Sequence, residues 1–263
     1  MKHTPLVYLL FFCSGLSGLI YQVVWVRAFG NVFGNTIYSA SLVIAVFMLG
    51  LGVGSYVVGT WADRRYGVRP DSLLRAFGSF ELAIGALALG VSTLLPHLGD
   101  VSASVSSYTR GPEGWYALST SSHLARAALA IGLLTPITLL MGGTLTLLIR
   151  HLVRHDLQVG GWRIALLYGA NTAGAAVGCF LTDFALVPAY GLQRTQMVAF
   201  AFNLVAALGA FYLGRGTRVR FQSVRRNRST SNSQTSDACP TPKRSTAFLG
   251  NRGLVERQPL GVD

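Results

Sequence analysis

An all-α membrane fold with six spanning helices is what this sequence predicts, and three observations predict it. First, six long stretches carry no charged side chain: Thr4 to Val26, Ala28 to Ala62, Leu82 to Gly99, Ala127 to Ile149, Ile164 to Thr182 and Thr195 to Gly214. A spanning helix needs about 20 mostly apolar residues, and a charge at its centre costs about 2.5–3.5 kcal/mol. Second, 51% of the 263 residues are hydrophobic and 12% are charged, with mean hydropathy +0.45; soluble domains carry about 25% charged residues. Third, the arginines alternate between connections. Arg64, Arg65, Arg69 and Arg75 stand between helices two and three, Arg150, Arg154 and Arg163 between four and five, and six more from Arg215 to Arg228 follow helix six. The other side has only Arg27, Arg110, Arg126 and Arg194, so both termini are expected in the cytoplasm, with the chain multi-pass in the inner (plasma) membrane.

Helix one follows Lys2 and an apolar run from Leu6 to Phe12, which imitates a signal peptide. No small-x-small cleavage site follows, and the apolar run continues through Tyr21 and Trp25, so a retained helix is expected. Its end, Gly18 to Arg27, holds Tyr21, Gln22, Trp25 and Arg27. Two readings stay open: a polar cluster facing a cavity or another helix, or an interfacial aromatic belt with a snorkelling arginine.

Helix two contains Gly50, Gly52 and Gly54 inside a 35-residue uncharged run. No strand-to-helix boundary exists there for a phosphate-binding loop, so close helix packing through Gly50 and Gly54 is expected, as through Gly174 and Gly178 in helix five. The following turn, Gly59, Asp63, Arg64, Gly67 and Arg69, gives Asp63 backbone N–H groups or arginines to accept from.

Helix three is expected from about Leu74 to Pro96, with Glu81 inside it. An intramembrane carboxylate is a functional-site hypothesis by default. The preferred reading is a structural ion pair with Arg27, Arg75 or Arg126, because Glu81 lies near the arginine-rich end; a proton or cation site is the alternative. The loop His97 to His123 holds Tyr108, Trp115 and Tyr116, which suit the headgroup level.

Helix four carries Pro136, Gly142 and Gly143, so a kink or local break is expected. Helix five, with Asn171, is expected to continue past Asp183 to Val187. Asn171 and Asp183, with Asn203 of helix six, leave two readings open: additions to a polar interior, or single residues that hydrogen-bond one helix to another. After Gly214 the composition turns to Arg, Ser, Asn, Thr and Pro, so residues 215–263 are expected to form a basic, disordered cytoplasmic tail behind a membrane domain of residues 1–214.

The net charge of +12 divides into a surplus of five up to Gly214 and seven beyond it, confined to loops and tail, so no nucleic-acid partner is implied. Cys13, Cys179 and Cys239 have no metal-ligand spacing. No nucleophile–base pair or metal cluster is seen, so no catalytic residue, cofactor or metal is expected.

The segment Gly59 to Arg69 resembles the loop signature of the major facilitator superfamily, although Tyr66 adds a residue before Gly67 and Val68 separates Gly67 from Arg69. A wider resemblance covers most of Phe11 to Gly216. It rests on SGLSGLIYQVVWVR (Ser14 to Arg27), the glycine-rich second helix with its ADRR end, FELAIGALAL (Phe80 to Leu89), LLTPITLLMGGTLTLL (Leu133 to Leu148) and LYGANTAGAAVGCFLTDFALVPAYGLQRT (Leu167 to Thr195). These strings resemble the membrane domain of the fused major-facilitator/spermidine synthase family. The resemblance implies one half of a major facilitator-type transporter, built from two inverted three-helix repeats. Family members append a cytoplasmic aminopropyltransferase domain, and nothing after Gly214 resembles it. The chain is therefore expected not to be an enzyme on its own.

Two functions stay open: a transporter-like or scaffolding membrane module linked to polyamine metabolism, or a membrane anchor or truncated fragment of a spermidine synthase-type aminopropyltransferase. Implied partners are the lipid bilayer, a second copy or a separately encoded synthase domain, and a polyamine or other small cationic solute.

Overall fold

The computed structural model describes residues 4–34, 36–66, 72–104, 106–110, 116–152 and 157–236. The chain divides into two units, Met1–Arg220 and Phe221–Asp263. Its elements are α1 (Thr4–Phe33), α2 (Thr36–Tyr66), α3 (Ser72–Ser104), β1 (Tyr108–Arg110), β2 (Tyr116–Leu118), α4 (Thr120–Leu152), α5 (Leu157–Leu181), a π-helical turn (Thr182–Leu186) and α6 (Val187–Ser236).

Among the described residues, five helical stretches are long and apolar enough to cross a membrane: Pro5–Phe33, Ile37–Arg64, Leu73–Ser104, Thr120–Leu152 and Gly161–Arg215. The fifth takes in both the fifth and sixth expected helices. It is not straight, because Gly191 sits at φ 71°, ψ 174°, a conformation glycine reaches without a Cβ penalty.

Several boundaries differ from the sequence expectation. The division between the first two helices falls at Gly34, not Arg27. Gly34 has φ 73°, and its N–H donates to the Gly30 carbonyl at 2.9 Å, a left-handed cap that stops α1. Helix α3 does not end at Pro96 but continues to Ser104. A proline removes one hydrogen bond without unwinding a helix whose next turns are packed, and Leu98 and Ser102 beyond it are buried.

Helix α4 starts at Thr120 and remains one helix through Pro136. Thr138 Oγ1 donates within its own helix toward Leu134 and Thr135 carbonyls, both at 3.1 Å, and Leu134 and Ile137 are fully buried. The connection between α3 and α4 is not purely irregular: β1 and β2 pair antiparallel, Thr109 opposite Ala117. Trp115, Gly67 and Arg69 lie outside the described residues. Residues after Gly214, expected to be disordered, continue α6 as far as Ser236. Extending a helix that already exists avoids the nucleation cost, so polar residues can prolong it.

Two helix pairs run parallel and in close contact. In α2 and α4, Gly54 lies against the Leu139 backbone, Gly142 against the Leu51 backbone, and Ser55 Oγ donates to the Gly142 carbonyl at 2.8 Å. In α1 and α5, Gly174 lies against the Phe12 carbonyl and Gly178 against that of Leu16. Small residues let helix backbones approach closely enough for van der Waals contact to hold them in lipid.

After Gly191 the chain returns antiparallel to α1, with Gln196 beside Trp25 and Gly209 beside Leu10. It also packs against α3, where Gly78 meets Ala207 and Ala210. Two apolar clusters fill the interior, one around Tyr21, Trp25, Phe29, Phe47 and Leu134, the other around Leu10, Phe11, Phe77 and Leu148. Tyr56, Phe180, Phe184 and Tyr212 are exposed, the arrangement that suits hydrocarbon on the outside.

Candidate functional site

Glu81 is the only Asp, Glu, Lys or Arg among the described residues that is fully buried. It stands on α3 where α1 and α6 converge. Ser14 Oγ of α1 lies 2.6 Å from Oε1, and Asn203 Nδ2 of α6 donates to Oε2 at 3.0 Å and to the Glu81 carbonyl at 3.3 Å. Tyr21, two turns beyond Ser14 on α1, is buried with its hydroxyl unpaired, as is Asn203 Oδ1. The three helices thus contribute one polar cluster in an apolar surround.

The arginines named as partners for Glu81 are not its neighbours. Arg27 Nη2 pairs with Asp183 Oδ1 at 2.6 Å; Arg126 donates to the Phe33 carbonyl and to Ser106 Oγ, both at 2.7 Å. Arg75 has an unpaired buried Nε, and its stem lies against Gly214. Among the described residues the two ion pairs leave Glu81 without a counter-cation.

The six residues singled out from the sequence separate into two places. Tyr21 and Glu81 lie inside the bundle. Arg27 and Asp183 join α1 to the π-turn after α5, with side chains 47% and 39% exposed, and Gln22 and Asn171 are half-buried. A π-turn places Asp183 off the regular helical register, a local irregularity common at functional positions.

The loop-motif residue Asp63 accepts a bidentate pair from Arg150 of α4, Nε to Oδ1 at 2.5 Å and Nη2 to Oδ2 at 2.6 Å. Trp25, one of the interfacial-belt candidates, is instead core. It is 0% exposed, stacks on Tyr21 at 5.2 Å, and donates from Nε1 to Gln196 Oε1 at 3.2 Å. Lipid and protein interior are both apolar, so a tryptophan near a helix end carries no label for either.

Three relatives were found by comparison with curated proteins. Polyamine aminopropyltransferase 2 of Streptomyces coelicolor is 29% identical over 203 residues, 77% of this chain and 33% of its own length. The polyamine aminopropyltransferase of Corynebacterium efficiens is 29% identical over 198 residues, 73% of this chain and 32% of its own. Polyamine aminopropyltransferase 1 of Streptomyces coelicolor is 25% identical over 205 residues, 77% and 33% respectively. The chain resembles polyamine aminopropyltransferases. It spans about a third of the length of the curated relatives it matches. No protein-family model and no solved structure matches it.

Relative to those aminopropyltransferases, the described residues of this chain supply helices, interhelical polar contacts and no group of three metal-ligating side chains. Sequence reading overlooked Ser14 and Gln196. The signal for Ser14 was its spacing of seven from Tyr21, which places both on one helix face. Gln196 had none, since its partner is 171 residues away.

Proposed function

We propose that this chain is a membrane-embedded, transporter-like module allied to polyamine aminopropyl transfer, crossing the membrane six times with both termini in the cytoplasm. The fifth apolar stretch is 55 residues long, about 80 Å as a straight helix, against about 30 Å of hydrocarbon. A turn at Gly191 divides it into two crossings.

One observation carries the half-transporter architecture. The parallel pair α1/α5 ends in Arg27–Asp183, and the parallel pair α2/α4 ends in Asp63–Arg150. Exchanging helices one with four, two with five and three with six takes each pair into the other and puts Arg27 on Arg150 and Asp183 on Asp63. An inverted repeat with an axis in the membrane plane has this property. The exposed Arg27–Asp183 pair and half-buried Gln22 and Asn171 support a face that meets water or another helical unit and not lipid alone.

Reporter fusions test the topology. Fusions after Arg65, Arg154 and Arg226 are expected to report cytoplasm, and fusions near Glu113 and Gln193 the outside. A periplasmic signal from the Arg226 fusion overturns this topology.

The transport reading is tested by reconstituting the chain in liposomes and measuring spermidine binding and uptake. Saturable uptake that falls at least tenfold in Asp183→Asn is the expected result. The limited share of the relatives' length that is matched favours a second reading, an anchor for an aminopropyltransferase domain. In that case spermidine flux is absent, and an aminopropyltransferase is recovered from membranes only when this chain is present.

A further inference from the structure

Hydrogen-bond accounting around Glu81 points to a bound proton. Each carboxyl oxygen meets one polar side chain, Ser14 Oγ at 2.6 Å and Asn203 Nδ2 at 3.0 Å, and neither partner carries a charge. From α1, the titratable side chains electrostatically coupled to Glu81 are Cys13 and Tyr21, and both are neutral when protonated. From α6 it is met by Asn203. Arg75 on its own helix lies nearly two turns earlier and is not among its partners. A buried anion without a cation costs several kcal/mol, and the usual escape is to neutralise it.

The geometry accommodates the neutral acid without rearrangement. The 2.6 Å contact lies in the range of a strong O–H···O bond, and either oxygen can carry the hydrogen. Glu81 then donates from Oε1 to Ser14 Oγ, while Oε2 remains the carbonyl that accepts from Asn203. Tyr21 Oη, buried and unpaired, belongs to the same face of α1, two turns beyond Ser14.

We propose that Glu81 is an intramembrane proton-binding site, loaded while α1 is packed on α3 and α6. The proton leaves when α1 parts from Ser14–Glu81–Asn203 contact: the Glu81 O–H bond breaks, entering water takes the proton, and the carboxylate gains the hydration it lacks in the closed bundle. This inference does not depend on spermidine being the solute, and its test reads protonation alone.

Infrared spectroscopy of the full chain in lipid nanodiscs at neutral pH, in H2O and D2O, decides it. The expected result is a protonated-carboxyl carbonyl band that shifts on deuteration, disappears in Glu81→Gln and shifts in Ser14→Ala, where the hydrogen-bond partner is lost. Should Glu81→Gln fail to fold, the Ser14→Ala shift carries the assignment. A wild-type spectrum without that band, or a band unchanged in every folded variant, overturns the proposal.

Discussion

Trp25→Ala is expected to lower stability in detergent by about 3–5 kcal/mol, the range for emptying a large aromatic site in a packed core. The side chain is 0% exposed, stacked on Tyr21 at 5.2 Å and tilted against Phe47 at 5.9 Å. Its indole N–H also joins α1 to the returning helix through Gln196, so truncation leaves a buried amide oxygen without its donor. Trp25→Phe keeps most of the ring contact and loses the hydrogen bond, so its loss should be smaller. Thermal unfolding in micelles measures both. If Trp25→Ala changes stability by less than about 1 kcal/mol, the residue behaves as an interfacial anchor, and the described packing of α1 on α6 is wrong.

Gly54→Ala is expected to destabilise by about 1–3 kcal/mol, the range for overpacking a tight contact. A Cβ at this position would overlap the Leu139 backbone, and backbone cannot move aside as a flexible side chain can. Gly142→Ala across the same seam would meet the Leu51 backbone. Gly52, two residues from Gly54 on the same helix, has open space where a methyl group would stand. Gly52→Ala should therefore be neutral or slightly stabilising, because alanine favours helix over glycine by about 1 kcal/mol. Equal melting shifts for Gly52→Ala and Gly54→Ala would show that the α2/α4 seam is not a close contact.

The close glycine contacts between α2 and α4 illustrate where sequence reading succeeds. Gly50 and Gly54 were legible as packing residues because a glycine stripe in a spanning helix has few other uses, and the partner helix did not have to be known. Asp63 was legible as an acceptor at a helix end for the same local reason, although its partner Arg150 lies 87 positions away. Glu81 was legible as the side chain most costly to place. Its expected arginine was not found, because proximity in sequence to Arg75 says little about which helices close over the carboxyl.

By itself the sequence determined that the chain carries helices long and apolar enough to cross a membrane, and that Glu81 needs to face protein. Each follows from local composition measured against one solvent, hydrocarbon, and holds whatever the helices do next. Only the tertiary structure decided that α1 pairs with α5 and α2 with α4, that the chain turns at Gly191, that Trp25 is core, and that Ser14 and Asn203 are the partners of Glu81. Those partners are separated by 67 and 122 positions. In lipid both faces of a helix are apolar, so hydrophobic periodicity no longer distinguishes inside from outside. Partner choice then rests on small-residue fit and a few polar contacts between distant segments, which exist only after the helices have assembled.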